Sequence, residues 1–343
     1  MSDPLRRAAP LATLIVALTL VAACKRPGGS GATPLDAHEA TLRRTPSESA
    51  RVIAHGTIRA ESLVRANGEM VWLEDRPDGA VVVRAPLGGG PLTTLPTGKH
   101  PTALVVDARA AYVGGDDGVL AIPLDGAPPV TIVDEAPLFV TLAVDAGDVY
   151  FVLGKGSAGG CGCCGCWKPR DVGLIRVSKS MPSGAKTALY RDWGVSALAL
   201  DDDAAYVVDR GQLLRIPKAG GPPEPVATDV REPLALDAHS VYGVAPDGQL
   251  LRVPKLGGPP VALGERDPGI AALALSEDAV YVASARTLGR IAAVGGATRL
   301  LYRDRVGMGA PRALALDGDG VWVSWTAVPD APAAETWILR VGR

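Results

Sequence analysis

The chain has 343 residues, 47% of them hydrophobic, and carries 35 Lys and Arg against 37 Asp and Glu, a net charge of -2. That balance gives no electrostatic reason to expect nucleic acid as a partner, and the length allows a large core while exceeding one ordinary small domain. The 41 Gly and 29 Pro would suggest disorder if scattered, but many stand at matching places along the chain and read as turn punctuation.

At the N-terminus, Arg6 and Arg7 precede an apolar run from Leu11 to Ala23. The run is short for a bilayer span of ~20 residues and suits the central region of a signal peptide covering 1–23. It closes on Val21-Ala22-Ala23-Cys24, which resembles a bacterial lipobox. The resemblance implies cleavage before Cys24, lipid on its sulfur and anchoring in the bacterial cell envelope. Several acyl chains, each contributing ~0.8 kcal/mol per buried CH₂, would make that anchor durable. An uncleaved anchor and a soluble secreted chain are the alternatives. Lys25 follows the cysteine, and by analogy with known lipoprotein sorting this implies the outer membrane in preference to the inner. Residues 25–49 are polar, rich in Gly, Pro, Ser and Thr, and lack a sustained period. They read as a flexible tether after the lipidated cysteine; an arm packed over the first repeat is the other reading.

From residue 50 onward the chain repeats. Seven times a small apolar residue is followed by Tyr or Trp: Val71-Trp72, Ala111-Tyr112, Val149-Tyr150, Ala205-Tyr206, Val241-Tyr242, Val280-Tyr281 and Val321-Trp322. Five positions before each aromatic stands a turn-former: Asn67, Asp107, Asp145, Asp201, Asp237, Ser276 or Asp317. The aromatics are spaced by 40, 38, 56, 36, 39 and 41 residues. A unit of about forty residues that reads as four short strands predicts an all-β fold, a β-propeller spanning 50–343. The clearest unit runs from Ser196 to Thr228: strand a at Leu198–Leu200, b at Ala205–Val208, c at Leu213–Ile216 and d at Pro225–Ala227. Asp201 opens the a–b turn, where its side chain can bond the backbone two residues on. An Arg lies near the end of strand c in six repeats, at Arg84, Arg176, Arg215, Arg252, Arg290 and Arg340, with Ala121 in the second. The arginines read as outward-facing or inter-blade groups, and the aromatics as packing between blades. The last repeat stops at Arg343 without a strand d, while Arg51–His55 reads as a strand with no repeat of its own. Pairing the two closes the ring, removes an exposed sheet edge and gives seven blades, with six as the alternative count.

The Val-Tyr of strand b, the Arg-Ile/Val-Pro-Lys of strand c and the Gly-Gly before strand d resemble lipoprotein-borne propellers and, more loosely, the YWTD and TolB-like propellers. The resemblance covers about residues 50–343 and implies a fold without a function. Two features depart from it. Those rings are usually six-bladed, and the YWTD tetrad is absent, since Ala205-Tyr206-Val207-Val208-Asp209 keeps only the Tyr and a later Asp.

The long spacing between Tyr150 and Tyr206 comes from an insertion between strands b and c of the third repeat. It carries Cys161, Cys163, Cys164 and Cys166, the only cysteines besides Cys24. Two local disulfides would staple the loop in an exported compartment, and sequence does not choose among the three pairings. A soft metal, Zn²⁺ or Cu(I), is the second reading, although zinc sites ordinarily use two separated Cys arms. A redox or conjugation site is the third. No other cofactor is expected.

In a propeller the d–a and b–c loops share one face around a mouth of the channel. The d–a loops are charged: Lys99 and His100, Asp134 and Glu135, Arg191 and Asp192 with Trp193, Arg231 and Glu232, Arg266 and Asp267, and Arg303 with Arg305. Loops held by a rigid scaffold are where binding usually resides, so these residues are the candidate binding face; an ordinary charged surface is the bland reading. The four His lack metal spacing or a nucleophile partner, and no phosphate loop, nucleophile elbow or dinucleotide fingerprint is present. The expectation is a lipid-anchored, non-enzymatic, monomeric envelope propeller that binds a protein or polysaccharide. A propeller enzyme resembling the streptogramin-lyase group and a thiol-dependent metal-binding protein are the alternatives.

Overall fold

The computed structural model describes residues 50–97, 101–115, 118–134, 139–153, 173–181, 185–304, 309–327 and 335–343. Among them the regular elements are all strands, arranged as seven four-stranded antiparallel sheets, the blades of a seven-bladed β-propeller. Six blades are built from consecutive strands. In the fourth, Val195–Leu200 is strand a, Ala204–Asp209 strand b, Gln212–Pro217 strand c and Glu224–Ala227 strand d. Turn chemistry fixes this order. Asp209 and Gln212 face each other across Arg210 and Gly211, whose φ values of 49° and 84° define a two-residue hairpin that matches strand twist. The Gly pair after strand c takes positive φ as well, 92° at Gly220 and 127° at Gly221, a conformation costly for other residues.

All six residues of Ala204–Asp209 are buried, because each blade is sandwiched between two others and strand b has no solvent side. The core is accordingly divided into seven clusters, one for each pair of neighbouring blades. Tyr206 and Leu213 of the fourth blade, for example, pack with Leu236, Val241 and Val253 of the fifth. Each large side chain buried in this way contributes about 1.5–3 kcal/mol, so stability is spread around the ring and depends on every junction.

The seventh blade is composite. Ala50–Gly56 pairs antiparallel with Thr336–Gly342, which continues to Gly320–Thr326 and Ala310–Leu316. The chain's first described strand thus supplies strand d of its last blade, as the sequence predicts, and the count is seven, not six. His55 stacks on Trp337 with ring centroids 4.8 Å apart and places Nε2 3.3 Å from Glu335 Oε2, fastening the seam.

The first blade corrects the repeat alignment. In the other six, the strand b aromatic stands opposite the Arg position of strand c, as Tyr206 does to Arg215 and Trp322 to Arg340. In the first, Arg84 faces Val71, and Trp72 faces Val83. Asn67 and Gly68, at φ 50° and 76°, make a two-residue turn between Ala66 and Glu69, so Ala66 and not Asn67 occupies the aspartate's place. A one-residue offset turns a strand residue to the opposite face. Trp72 therefore packs back toward Trp322 and Ile338 of the seventh blade, whereas Tyr206 packs forward onto the following one.

Candidate functional site

The a–b and c–d turns gather on one face of the ring, hereafter the turn face, and their chemistry is repeated. Asp145 Oδ1 accepts the backbone N–H groups of Gly147 and Asp148, which closes the a–b turn. Its Oδ2 accepts the Tyr150 hydroxyl at 2.9 Å and the Lys218 ammonium at 2.7 Å. Lys218 comes from the c–d turn of the next blade and lies 5.2 Å from the Tyr150 ring centre, a cation–π distance. The same clasp joins Lys179 to Asp107 and Tyr112, and Lys255 to Asp201 and Tyr206. Arg343 stands over Tyr281 at 5.3 Å in the corresponding place between the sixth and seventh blades. The strand c arginines add a second tie: Arg84, Arg176 and Arg252 donate to the carbonyls of Leu124, Lys218 and Ala293 in the following blade.

These contacts set the ionisation of the face. Partial burial works against the charge of Asp145, but the Lys218 and backbone hydrogen bonds outweigh it and hold the carboxyl below its ordinary pKa. Asp107 and Asp201 are lowered in the same way, burial being overcome by Lys179 and Lys255. Burial, and then the Asp201 carboxylate, push the Tyr206 hydroxyl up to about 12. Tyr112, Tyr150 and Tyr242 are raised by burial and by their own aspartates.

The central channel opens on this face into a cavity of about 1310 Å³. Its lining is divided. The first three blades contribute turn residues, among them Asn67, Arg109, Asp148 and Ser180, together with the inner-strand residues Leu63–Ala66, Val106 and Val144, while the sixth and seventh contribute only the inner-strand residues Leu273–Leu275 and Leu314–Leu316.

The b–c and d–a loops occupy the opposite, loop face, where the sequence places its candidates. Arg191, Asp192 and Trp193 lie together in the loop after Thr187–Tyr190. Asp192 caps the backbone N–H groups of Trp193 and Gly194 and pairs with Arg210 of the b–c turn at 2.6 Å. Trp193 is 43% exposed. Arg231 is exposed at the start of Arg231–Leu236, next to the half-buried Glu232. Arg266 pairs with Asp247 at 2.8 Å, and Asp267 accepts the Gly269 N–H. Asp134 and Arg303 end their outer strands, both exposed. The structure thus brings these residues to one face, spread around its rim. Lys99, His100, Glu135, Arg305, Cys24 and the cluster Cys161, Cys163, Cys164 and Cys166 lie outside the described residues. Sequence reasoning did not single out the cavity on the turn face; its signal was the lysine after strand c, which the repeat shows but whose partner sits in a neighbouring repeat.

No family model and no curated protein matches the chain. Solved structures resemble it in fold. YCF48 from Cyanidioschyzon merolae superposes with a TM-score of 0.59 at 12% identity, covering 86% of this chain and 98% of that one. Oligogalacturonate lyase from Vibrio parahaemolyticus gives 0.58 at 10%, covering 86% and 92%. BamB from Moraxella catarrhalis gives 0.51 at 10%, covering 85% and 99%. Identities this low carry the propeller fold across proteins of varied function, and no activity with it.

Proposed function

We propose that the chain is a lipid-anchored cell-envelope propeller that binds an envelope protein or polysaccharide through its loop face and performs no chemistry of its own. The point at which the chain enters the ring carries this reading. Ala50 pairs with Val341, beside the a–b turn of the seventh blade, whereas Gly56 pairs with Thr336 at the other end. The chain therefore arrives on the turn face. A tether of residues 25–49 running from an acylated Cys24 directs that face to the membrane and turns Arg191, Trp193, Arg231, Arg266 and Arg303 outward to a partner.

Binding is favoured over catalysis by the state of three aspartates on the turn face. Asp107, Asp145 and Asp201 are held ionised by lysines, and their tyrosines are held protonated. Neither group is tuned near neutrality, where a general acid or base works best. The test is in vivo cross-linking with acyl labelling. Label should enter the chain and be lost in Cys24→Ser. The partner captured by the wild type should fall at least tenfold when Arg191, Arg231, Arg266 and Arg303 are all changed to Glu. Unaltered capture rejects the loop face, and absence of label rejects the anchor.

A further inference from the structure

The inner strands of the seven blades end at equivalent positions around the channel mouth, one residue after the partner of the strand b aromatic. From the cross-strand pairs Val105↔Tyr112, Ala143↔Tyr150, Ala199↔Tyr206, Ala235↔Tyr242, Ala274↔Tyr281 and Ala315↔Trp322, six of these positions hold Val106, Val144, Leu200, Leu236, Leu275 and Leu316. In the first blade Val64 pairs with Val71, the equivalent of those aromatics, so the seventh position is Arg65. One charged residue thus holds a register position that is aliphatic in the six other blades. Arg65 is exposed, lines the cavity, and makes no hydrogen bond or ion pair with another described residue.

Nothing in the fold requires a cation there, since six sister blades use Val or Leu at the same place. Arg65 is exposed and has no partner among the described residues, so its guanidinium is available to a ligand that enters the cavity. The rest of the lining is consistent with an anion. Asp107 and Asp145 are each engaged by a lysine, Lys179 and Lys218, which leaves Arg65 and Arg109 against Asp148 alone. Across the mouth, the sixth and seventh blades offer Leu275 and Leu316, both partly exposed.

We infer that the turn-face cavity binds an anionic amphiphile, a carboxylate or phosphate head on Arg65 with an alkyl chain against the leucines of the sixth and seventh blades. The site is independent of the loop face: its anion contact is charge-assisted and its chain contact is hydrophobic.

The test is calorimetric titration of the full chain with monomeric decanoate, decanol and acetate. Decanoate should bind saturably and at least tenfold more tightly than either decanol, which lacks the charge, or acetate, which lacks the chain. Each methylene added from hexanoate to decanoate should tighten binding by up to about fourfold. Arg65→Leu restores the residue type of the other blades, so its melting temperature should match the wild type while decanoate affinity falls at least tenfold and decanol affinity does not. Equal binding of decanoate and decanol, or decanoate binding untouched in a normally melting Arg65→Leu chain, overturns the proposal. Titration with lysophosphatidylglycerol carrying a decanoyl chain, matched to decanoate in length, separates the two sources of such a ligand: tighter binding than decanoate assigns the site to a lipid headgroup, weaker binding to a free fatty acid.

Discussion

At the scale of single residues, the repeated aspartate does three jobs at once. Asp145 closes its own turn, accepts the hydroxyl of its own Tyr150 and receives a lysine from the next blade. A prediction about pH follows from the shifts. The carboxyls of Asp107, Asp145, Asp201 and Asp317 lie lower in the folded chain than in the unfolded one. Their contribution to stability is complete above the unfolded value of about 4 and is lost as pH falls through the depressed folded values. Tyr206 and Tyr302 are raised to about 12, so their contribution is complete below an unfolded value of about 10 and is lost between there and about pH 12. The melting temperature should therefore be flat from about pH 5 to pH 9 and fall on both sides. Tyrosinate absorbance should appear mainly together with alkaline unfolding; a separate titration of most tyrosines near pH 10 in the folded chain would contradict the clasp. The sequence displayed the five-residue spacing of aspartate and aromatic. It did not display that the two side chains touch, because the turn folds them onto the same end of the blade.

At the scale of the element, the clasp is incomplete. The c–d turn of the sixth blade carries Ala293 where Lys218 stands in the fourth; the equivalence is fixed by Arg252, which donates to the Ala293 carbonyl as Arg176 does to that of Lys218. Asp237 of the facing fifth blade keeps its turn and its tyrosine, but among the described residues no lysine pairs with it. Ala293→Lys should add the missing tie and stabilise by about 0.5–1 kcal/mol, raising the melting temperature by about 1–3 °C. Lys218→Ala should cost about 1–2 kcal/mol, since it leaves the half-buried Asp145 without its cation. If Ala293→Lys lowers the melting temperature while Lys218→Ala leaves it unchanged, the clasp is an ornament of the turns and not a tie between blades. The first blade is the lesson in legibility here. Its aromatic spacing fits the repeat, yet the Asn67-Gly68 turn puts Ala66 in the aspartate's place and leaves Trp72 one residue beyond the aromatic's position. Spacing along the chain could not reveal this offset, because side-chain facing depends on cross-strand register.

At the scale of the whole molecule, closure rests on one strand. A chain beginning at residue 57 would leave Thr336–Gly342 as a bare edge carrying Trp337, Leu339 and Val341, now buried at 5%, 1% and 0% exposure. It should melt at least 10 °C lower and elute partly as aggregate, whereas a chain beginning at residue 50 should match the full chain; equal behaviour of the two would show that the seam is dispensable. This closure was legible because both halves of the seam lie in the sequence: a final repeat short of a strand, and a leading strand short of a repeat. By itself the sequence determined the unit, the number of blades, the strand order within each and the seam, since these follow from local turn chemistry and alternating apolar residues. Only the tertiary structure decided which lysine meets which aspartate, which way Trp72 faces, and that Arg65 lines the mouth of the channel at a position that is aliphatic in the other blades. Those are relations between residues some forty positions or more apart, and they exist only once twisted sheets are packed side by side and the ring is closed.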